Sequence, residues 1–202
     1  MSVLRAIAAV VPVVLLVGCT PTAPPTSTPS LVPTSTSPSP EPSPTCSPYD
    51  GTPKPCTPEE AAKTEKQNAL IAQAEQTYRK YFKEDERLQR AGGATKATAA
   101  LLDTLTGAAL KSAMEDYRDL KENKTRAQGG TFTLGSITPK PTRTKGGSVM
   151  SLDVCWSIKN VKFKVDGVTL NRSATVREFT YYRHVDGSLK ISLFEWKEVS
   201  KC

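Results

Sequence analysis

The sequence predicts an α+β domain in which a helical half precedes an antiparallel sheet. Between residues 57 and 130, apolar side chains recur every three or four positions, the spacing that gives a helix one buried face. After Gly130 the spacing shifts toward two, and β-branched and aromatic residues become frequent, as they are in strands. Residues 1–56 follow neither pattern and indicate an export signal and a linker.

The first 18 residues have the form of an export signal. Arg5 precedes an apolar run at 6–17, which is too short to cross a hydrocarbon core that needs about 20 helical residues. The following Leu-Val-Gly-Cys, ending at Cys19, resembles the lipobox of bacterial lipoproteins, whose cysteine is lipidated before the signal is cut off. The resemblance implies acyl chains (palmitate among them) on Cys19 and anchoring on the extracytoplasmic face of the cell membrane. An ordinary secretory signal with an unmodified cysteine is the alternative.

A stalk is predicted at 19–56, where the chain is composed mostly of Pro, Ser and Thr. Such a segment buries too little apolar surface to offset the entropy of ordering, so disorder is expected. Its prolines favour polyproline II, and roughly 35 residues at about 3.1 Å each would reach on the order of 100 Å. The stalk is similar to O-mannosylated stalks of actinobacterial surface proteins.

Three helices are predicted in the first half of the domain, which spans residues 57–202. Thr57 can cap the first helix, Pro58 fits its first turn, and Glu60 completes a capping box. This helix is expected to end at Ala91-Gly92-Gly93. A short helix at 96–104 and a longer one at 107–121 follow.

Strands are predicted near 131–138, 148–158, 161–165, 174–184 and 189–199. Asp166-Gly167 and Asp186-Gly187 are hairpin-turn signals.

This order of elements resembles the nuclear-transport-factor-2-like superfamily. Leu105-Thr106-Gly107 at the third helix, Val154-Cys155-Trp156 in a strand and Trp196 near the chain end are similar to small actinobacterial lipoproteins with that domain. The resemblance covers about residues 57–202 and implies a cone-like fold, with three helices against a curved sheet and a pocket between them. The superfamily includes isomerases, dehydratases, ligand binders and structural partners, so the fold implies no single activity.

Cys46, Cys56, Cys155 and Cys202 remain when Cys19 is set aside, and an even number in an exported protein favours disulfides. Three connectivities are open. Cys46 and Cys56 flank a short Pro/Gly segment and are expected to pair locally. By strand alternation Cys155 points away from the core, where a bond to Cys202 would pin the last strand. Free or metal-binding thiols are the alternative, although the spacings do not match a zinc site.

No catalytic constellation stands out, so the sequence predicts no catalytic residue, metal ion or cofactor and leaves enzyme activity open. His184 lies beside the Asp186-Gly187 turn, where a side chain meets solvent. The candidates for lining a pocket are Tyr117, Tyr181, Tyr182 and Trp196, although aromatic residues at such positions more often belong to the core.

Positive charge is concentrated in the sheet half, with 12 cations against 6 anions after Gly130 out of a net charge of +7. Its two clusters are Lys140, Arg143 and Lys145 in one loop and Lys159, Lys162 and Lys164 around the next predicted turn. Outside a bacterium such clusters attract anionic envelope polymers or an acidic envelope protein. A solvated basic face is the alternative, and the predicted compartment argues against nucleic acid.

The leading hypothesis is a noncatalytic domain, held out from the membrane on its stalk, that binds a partner or ligand through its cavity or its basic sheet surface. A small-molecule isomerase, dehydratase or hydrolase that uses the pocket is the second hypothesis, and it requires an ionisable side chain facing inward. The third is a spacer or self-assembling module, for example a homodimer.

Overall fold

The computed structural model describes residues 43–165 and 168–202. The export signal, Cys19, most of the predicted stalk and the turn signal at 166–167 lie outside the described residues. Two short strands, β1 (Thr45–Cys46) and β2 (Lys54–Pro55), precede helices α1 (Pro58–Ala91), α2 (Ala99–Thr104) and α3 (Gly107–Glu122). These helices pack against a mainly antiparallel sheet, which confirms the α+β class. Within the described ranges, no helix combines the length and apolar character needed to cross a membrane.

Helix α1 begins at the predicted capping box. The Thr57 hydroxyl accepts a hydrogen bond of 3.2 Å from the backbone N–H of Glu60. The Glu60 carboxylate in turn accepts one of 2.8 Å from the backbone N–H of Thr57. The helix ends at Gly92, whose φ of 79° lies in the left-handed region that favours glycine at this position.

The main sheet consists of β3 (Arg126–Gln128), β4 (Thr131–Lys140), β5 (Met150–Val165), β6 (Val168–Val185) and β7 (Ser188–Val199). Both β3 and β4 pair with β5, one after the other along the same side, and β6 and β7 follow on its other side. The two strands predicted at 148–158 and 161–165 are therefore one strand. Its pairing with β6 shifts between Ile158 and Val161, where Asn160 has a φ of 54°, because one bulge breaks the alternation without ending the strand.

The predicted turn between β6 and β7 is confirmed. Asp186 and Gly187 have φ values of 50° and 77°, and positive φ at both central residues characterises the type I′ turn of two-residue hairpins. The turn fixes the register in which Val185 pairs with Ser188.

The core lies between the helices and one face of the sheet, which is called the inner face. Met150, Leu152 and Val154 alternate along β5 toward this core and are fully buried against the helices, including Tyr78 of α1. The intervening residues of β5 point to the opposite, outer face. A second, smaller cluster forms around Val161 at the far end of β5.

The cysteines pair as expected, Cys46 with Cys56 and Cys155 with Cys202, with Cα–Cα distances of 5.8 and 6.0 Å. Residues 45–56, which the sequence assigns to the stalk, pack against α1. For example, Asn68 of α1 donates a 2.7 Å hydrogen bond to the carbonyl oxygen of Ser47. At the other end, Cys155 lies on the outer face, so the last residues of the chain cross β6 to reach it.

Candidate functional site

Two carboxyl groups lie between the helices and the sheet, and the first belongs to Glu178 of β6. Glu178 pairs with Val154 and therefore shares its inward direction. Only 6% of the residue is exposed. One carboxyl oxygen, Oε2, accepts a 3.3 Å hydrogen bond from the indole of Trp156, whereas Oε1 has no partner among the described residues. Burial raises the pKa of Glu178 to about 8, against the lowering effect of the Trp156 hydrogen bond. Glu178 is therefore mostly protonated at pH 7.

The second carboxyl group is that of Asp85 on α1. It accepts hydrogen bonds of 2.7 Å from the hydroxyl of Tyr117 and 2.8 Å from the side-chain amide of Gln89. Burial raises its pKa to about 6, and the two hydrogen bonds oppose that increase. The negative charge of Asp85 in turn helps to raise the pKa of Glu178. The two groups therefore titrate at different pH values, and the charge of Asp85 acts on Glu178.

Tyrosines surround both carboxyl groups. Tyr78 is completely buried, and its hydroxyl has no hydrogen-bond partner among the described residues. Burial raises its pKa well above the ordinary value, and Glu178 raises it further. The pKa of Tyr81 is likewise raised, mainly by burial and then by Asp85. Neutral phenols and a protonated acid are hydrogen-bond donors, so this region offers donors to a polar group and has one ionised acceptor, Asp85. We call Tyr78, Tyr81, Asp85, Tyr117 and Glu178 the interior polar cluster.

The four predicted pocket residues do not come together. Tyr117 and Tyr182 face the core and are almost fully buried. Tyr181 points to the outer face, because it is the neighbour of Tyr182 in a strand and alternate residues point to opposite sides. Trp196 is on the inner face near the open end of the sheet and is 65% exposed. Tyr117 is thus part of the interior polar cluster, and Tyr182 lies in the same core.

The first basic cluster is partly neutralised within the domain, by the single carboxylate of Glu195. Glu195 forms ion pairs with both Arg143 (3.3 Å) and Lys145, and it accepts a 2.7 Å hydrogen bond from the hydroxyl of Tyr181. The guanidinium of Arg143 also lies 3.7 Å from the centre of the Phe179 ring. Lys140 is the last residue of β4 and is half-buried. This cluster attaches the loop at 141–149 to the sheet, and Glu195 offsets one of its three positive charges.

The second basic cluster lies on β5 itself, and not around a turn as the sequence indicated. Lys159, Lys162 and Lys164 are exposed, and none forms an ion pair with any residue that the structure describes. Lys162 and Lys164 alternate with the inward-facing Val161 and Phe163, which places both lysines on the outer face. On the neighbouring strand β3, Arg126 lies opposite Lys164 and adds a further cation.

A shallow groove of about 390 Å³ lies at the end of β7, beside β5 and β6, and of these three lysines its lining includes Lys159. The groove is lined by Lys159 and by hydroxyl side chains from three parts of the chain: Ser157, Ser173, Thr175 and Ser200. Glu198 lies at the rim but is already paired with Arg172. Hydroxyl groups both donate and accept hydrogen bonds, and lysine supplies a positive point charge. The groove therefore suits a ligand that carries hydroxyl groups and negative charge.

His184 is exposed beside the turn, as the sequence predicted. Within residues 43–165 and 168–202, no group of three His, Cys, Asp or Glu side chains is arranged to hold a metal ion.

Sequence reasoning missed Asp85 and Glu178. The available signal for Asp85 was its place on the apolar stripe of α1, three residues after Phe82 and three before Leu88. For Glu178 it was the alternation of β6, in which Val176, Glu178 and Thr180 share a face.

Comparison with known proteins adds little. No family model matches the chain, and no curated protein matches it. Among solved structures, the intermembrane space region of the chloroplast protein ARC6 is 16% identical, with a TM-score of 0.39. The matched region covers 62% of this chain and 93% of that one. This TM-score is too low for a shared fold to be inferred.

Proposed function

We propose that this protein is a bacterial envelope lipoprotein, anchored through Cys19, whose stalked domain binds an anionic envelope polymer on the outer face of its sheet. The fold proposed for the domain is the cone-like fold of the nuclear-transport-factor-2-like superfamily. The observation that carries the binding role is the run of exposed lysines Lys159, Lys162 and Lys164 along β5, with a hydroxyl-lined groove beside Lys159. A polymer of repeating phosphate or carboxylate groups fits this arrangement, since the lysines are spaced along one strand and each can meet a different repeat.

Binding of this kind depends on charge, so it is expected to weaken as salt is added. The direct test uses polyphosphate as the probe and measures its affinity for the full-length chain by titration calorimetry at several salt concentrations. Reversing the three lysines (Lys159→Glu, Lys162→Glu and Lys164→Glu) should weaken binding by roughly tenfold or more and flatten the salt dependence.

The matched control is a chain in which Lys63, Lys66 and Lys80, all exposed on α1, are changed to glutamate. This control alters the net charge by the same amount, so it separates local recognition from the overall field of the protein. Equal losses of affinity in the two chains would contradict a site on the outer face.

Anchoring is tested separately. Cells fed an alkyne-labelled fatty acid should label the wild-type chain and a Cys46→Ser chain, but not a Cys19→Ser chain. Labelling of the Cys19→Ser chain would contradict the proposed anchor.

The interior polar cluster favours a second candidate, a small-molecule isomerase, dehydratase or hydrolase. Such chemistry needs a proton donor and a proton acceptor whose pKa values differ, and Glu178 and Asp85 have this relationship. Native mass spectrometry of the full-length chain would test it. A small molecule that is retained by the wild type and lost from a Glu178→Ala chain would favour this candidate, and a ligand-free wild type would count against it.

A further inference from the structure

We propose that two copies of this chain pair through the free edge of β7, in antiparallel register centred on Trp196, so that their sheets become continuous. Strand β7 is the last strand of the main sheet and pairs with β6 on one side only. Its other edge meets the helices near Ile191, where the carbonyl oxygen accepts a 2.8 Å hydrogen bond from the backbone N–H of Thr106. From Leu193 to the end of the strand, no backbone group on this edge bonds to another described residue.

The two edges of the sheet differ in how they are protected. The opposite edge carries Pro139 and a pairing irregularity between Leu134 and Ile137, two devices that discourage a further strand from pairing. The β7 edge after Leu193 contains no proline, and its pairing with β6 there is regular. It also presents Trp196, which is 65% exposed although it lies in a strand. This edge is guarded only by the charged side chains of Glu195, Lys197 and Glu198, so it is suited to pairing with a strand whose charges complement them.

The sequence of this edge is complementary to itself. When two copies pair around Trp196, Glu195 of each lies opposite Lys197 of the other, and Leu193 lies opposite Val199. Opposite charges across a strand pair are favourable and like charges are unfavourable. A register centred on Glu195 or on Lys197 would instead place like charges directly opposite each other. Charge and apolar pattern therefore favour the register centred on Trp196 and identify the partner as a second copy of this chain.

A two-fold axis through this contact runs perpendicular to the sheet, so both outer faces point to the same side. The dimer would then present Lys162 and Lys164 of both copies to one polymer, which strengthens binding without any new contact. This consequence rests on the proposed polymer binding, whereas the dimer itself does not.

The test measures the mass of the full-length chain in detergent by sedimentation, without any polymer. The wild type should be a dimer at concentrations near 100 µM, a range in which a modest affinity is detectable. Lys197→Glu and Glu195→Lys should each weaken the dimer by roughly tenfold, because each places like charges opposite each other twice. Mixing the two variants should restore the dimer, because every charge in the mixed pair then faces its opposite.

Lys197 is exposed and forms no ion pair with a described residue, so its replacement should leave the fold intact. Glu195 supports the loop at 141–149, and the folding of its variant is checked by circular dichroism. If that variant does not fold, Trp196→Lys replaces it and should likewise yield a monomer. A monomeric wild type, or variants that dimerise like the wild type, would overturn the proposal and leave the edge to a strand from a different protein.

Discussion

Trp156 and Glu178 meet diagonally across β5 and β6, where the indole N–H donates a 3.3 Å hydrogen bond to the carboxyl group at the centre of the sheet. No cation accompanies this carboxyl group among the described residues, and its second oxygen has no hydrogen-bond partner there. A buried carboxylate without a cation is unfavourable, and the protonated acid avoids that penalty. Protonation of Glu178 therefore stabilises the folded domain.

The first prediction concerns the pH dependence of stability. The pKa of Glu178 is about 8 in the folded chain against an ordinary value of 4.5. Between these values the folded chain holds a proton that the unfolded chain releases, so the free energy of unfolding falls as pH rises. The loss of stability is complete above pH 8 and amounts to roughly 5 kcal/mol at most.

Glu178→Gln should remove this part of the pH dependence, because an amide does not ionise. Urea unfolding at pH 5, 7 and 9 would show a variant close to the wild type at pH 5 and more stable at pH 9. Parallel pH profiles for the two chains would contradict a buried acid at this position.

A second prediction follows from Tyr117, whose hydroxyl donates to the ionised form of Asp85. Tyr117→Phe removes this donor and nothing else, so the pKa of Asp85 should rise further above about 6. The loss of stability should be about 1–3 kcal/mol at pH 7 and above, where the carboxylate is ionised and its Oδ1 has lost the donor. It should be smaller near pH 4, where the group is protonated.

Tyr49→Phe is the matched control for that change. The Tyr49 hydroxyl also donates to a carboxylate, that of Glu75, but Tyr49 is 46% exposed and water can replace the lost contact. Urea unfolding should therefore show little effect of Tyr49→Phe at any pH. Equal losses in the two variants would mean that the Asp85 site is open to water.

The two disulfides should contribute unequally to stability. Cys155 and Cys202 are separated by 47 residues, whereas Cys46 and Cys56 are separated by 10. Closing the longer loop removes more entropy from the unfolded chain, which corresponds to about 4 kcal/mol against about 3 kcal/mol. Replacing both cysteines of a pair by serine, followed by thermal unfolding, would measure each contribution. A larger loss from the shorter loop would indicate that contacts of residues 45–56 with α1 dominate over chain entropy.

Local signals explain how much of the fold was predictable. The start of α1 is encoded by Thr57 and Glu60 themselves, and the β6–β7 turn by Asp186 and Gly187, so neither depends on distant parts of the chain. The short strand β3 was not predicted, because three residues carry no periodicity and are strand only through pairing with β5. The division of β5 into two strands was wrong because a bulge and a turn give the same interruption in the pattern.

The site was less predictable, since it depends on pairing between distant segments. The alternation of β6 puts Glu178 on the face of Val176 and Thr180, but that this face is the inner one follows from its register opposite Val154 on another strand. The two basic clusters are indistinguishable in the sequence. In the structure Glu195, which is 52 residues from Arg143 and 50 from Lys145 along the chain, pairs with both and offsets one of their two charges. Charge counted along a chain therefore overestimates charge available on its surface.

The last prediction tests this neutralisation. Glu195 attaches the loop at 141–149 to the sheet through Arg143 and Lys145, both of which are cleavage sites for trypsin. Glu195→Gln should free the loop, so limited trypsin digestion should cut it roughly fivefold faster. A fivefold increase in the population of the open loop corresponds to the loss of a contact of about 1 kcal/mol. Glu198→Gln on the same strand is the matched control, since Glu198 pairs with Arg172 and does not contact the loop. Mass spectrometry of the first fragments identifies the site of cleavage. Equal protection of the loop in the two variants would show that the Phe179 contact with Arg143, and not the ion pairs, holds it in place.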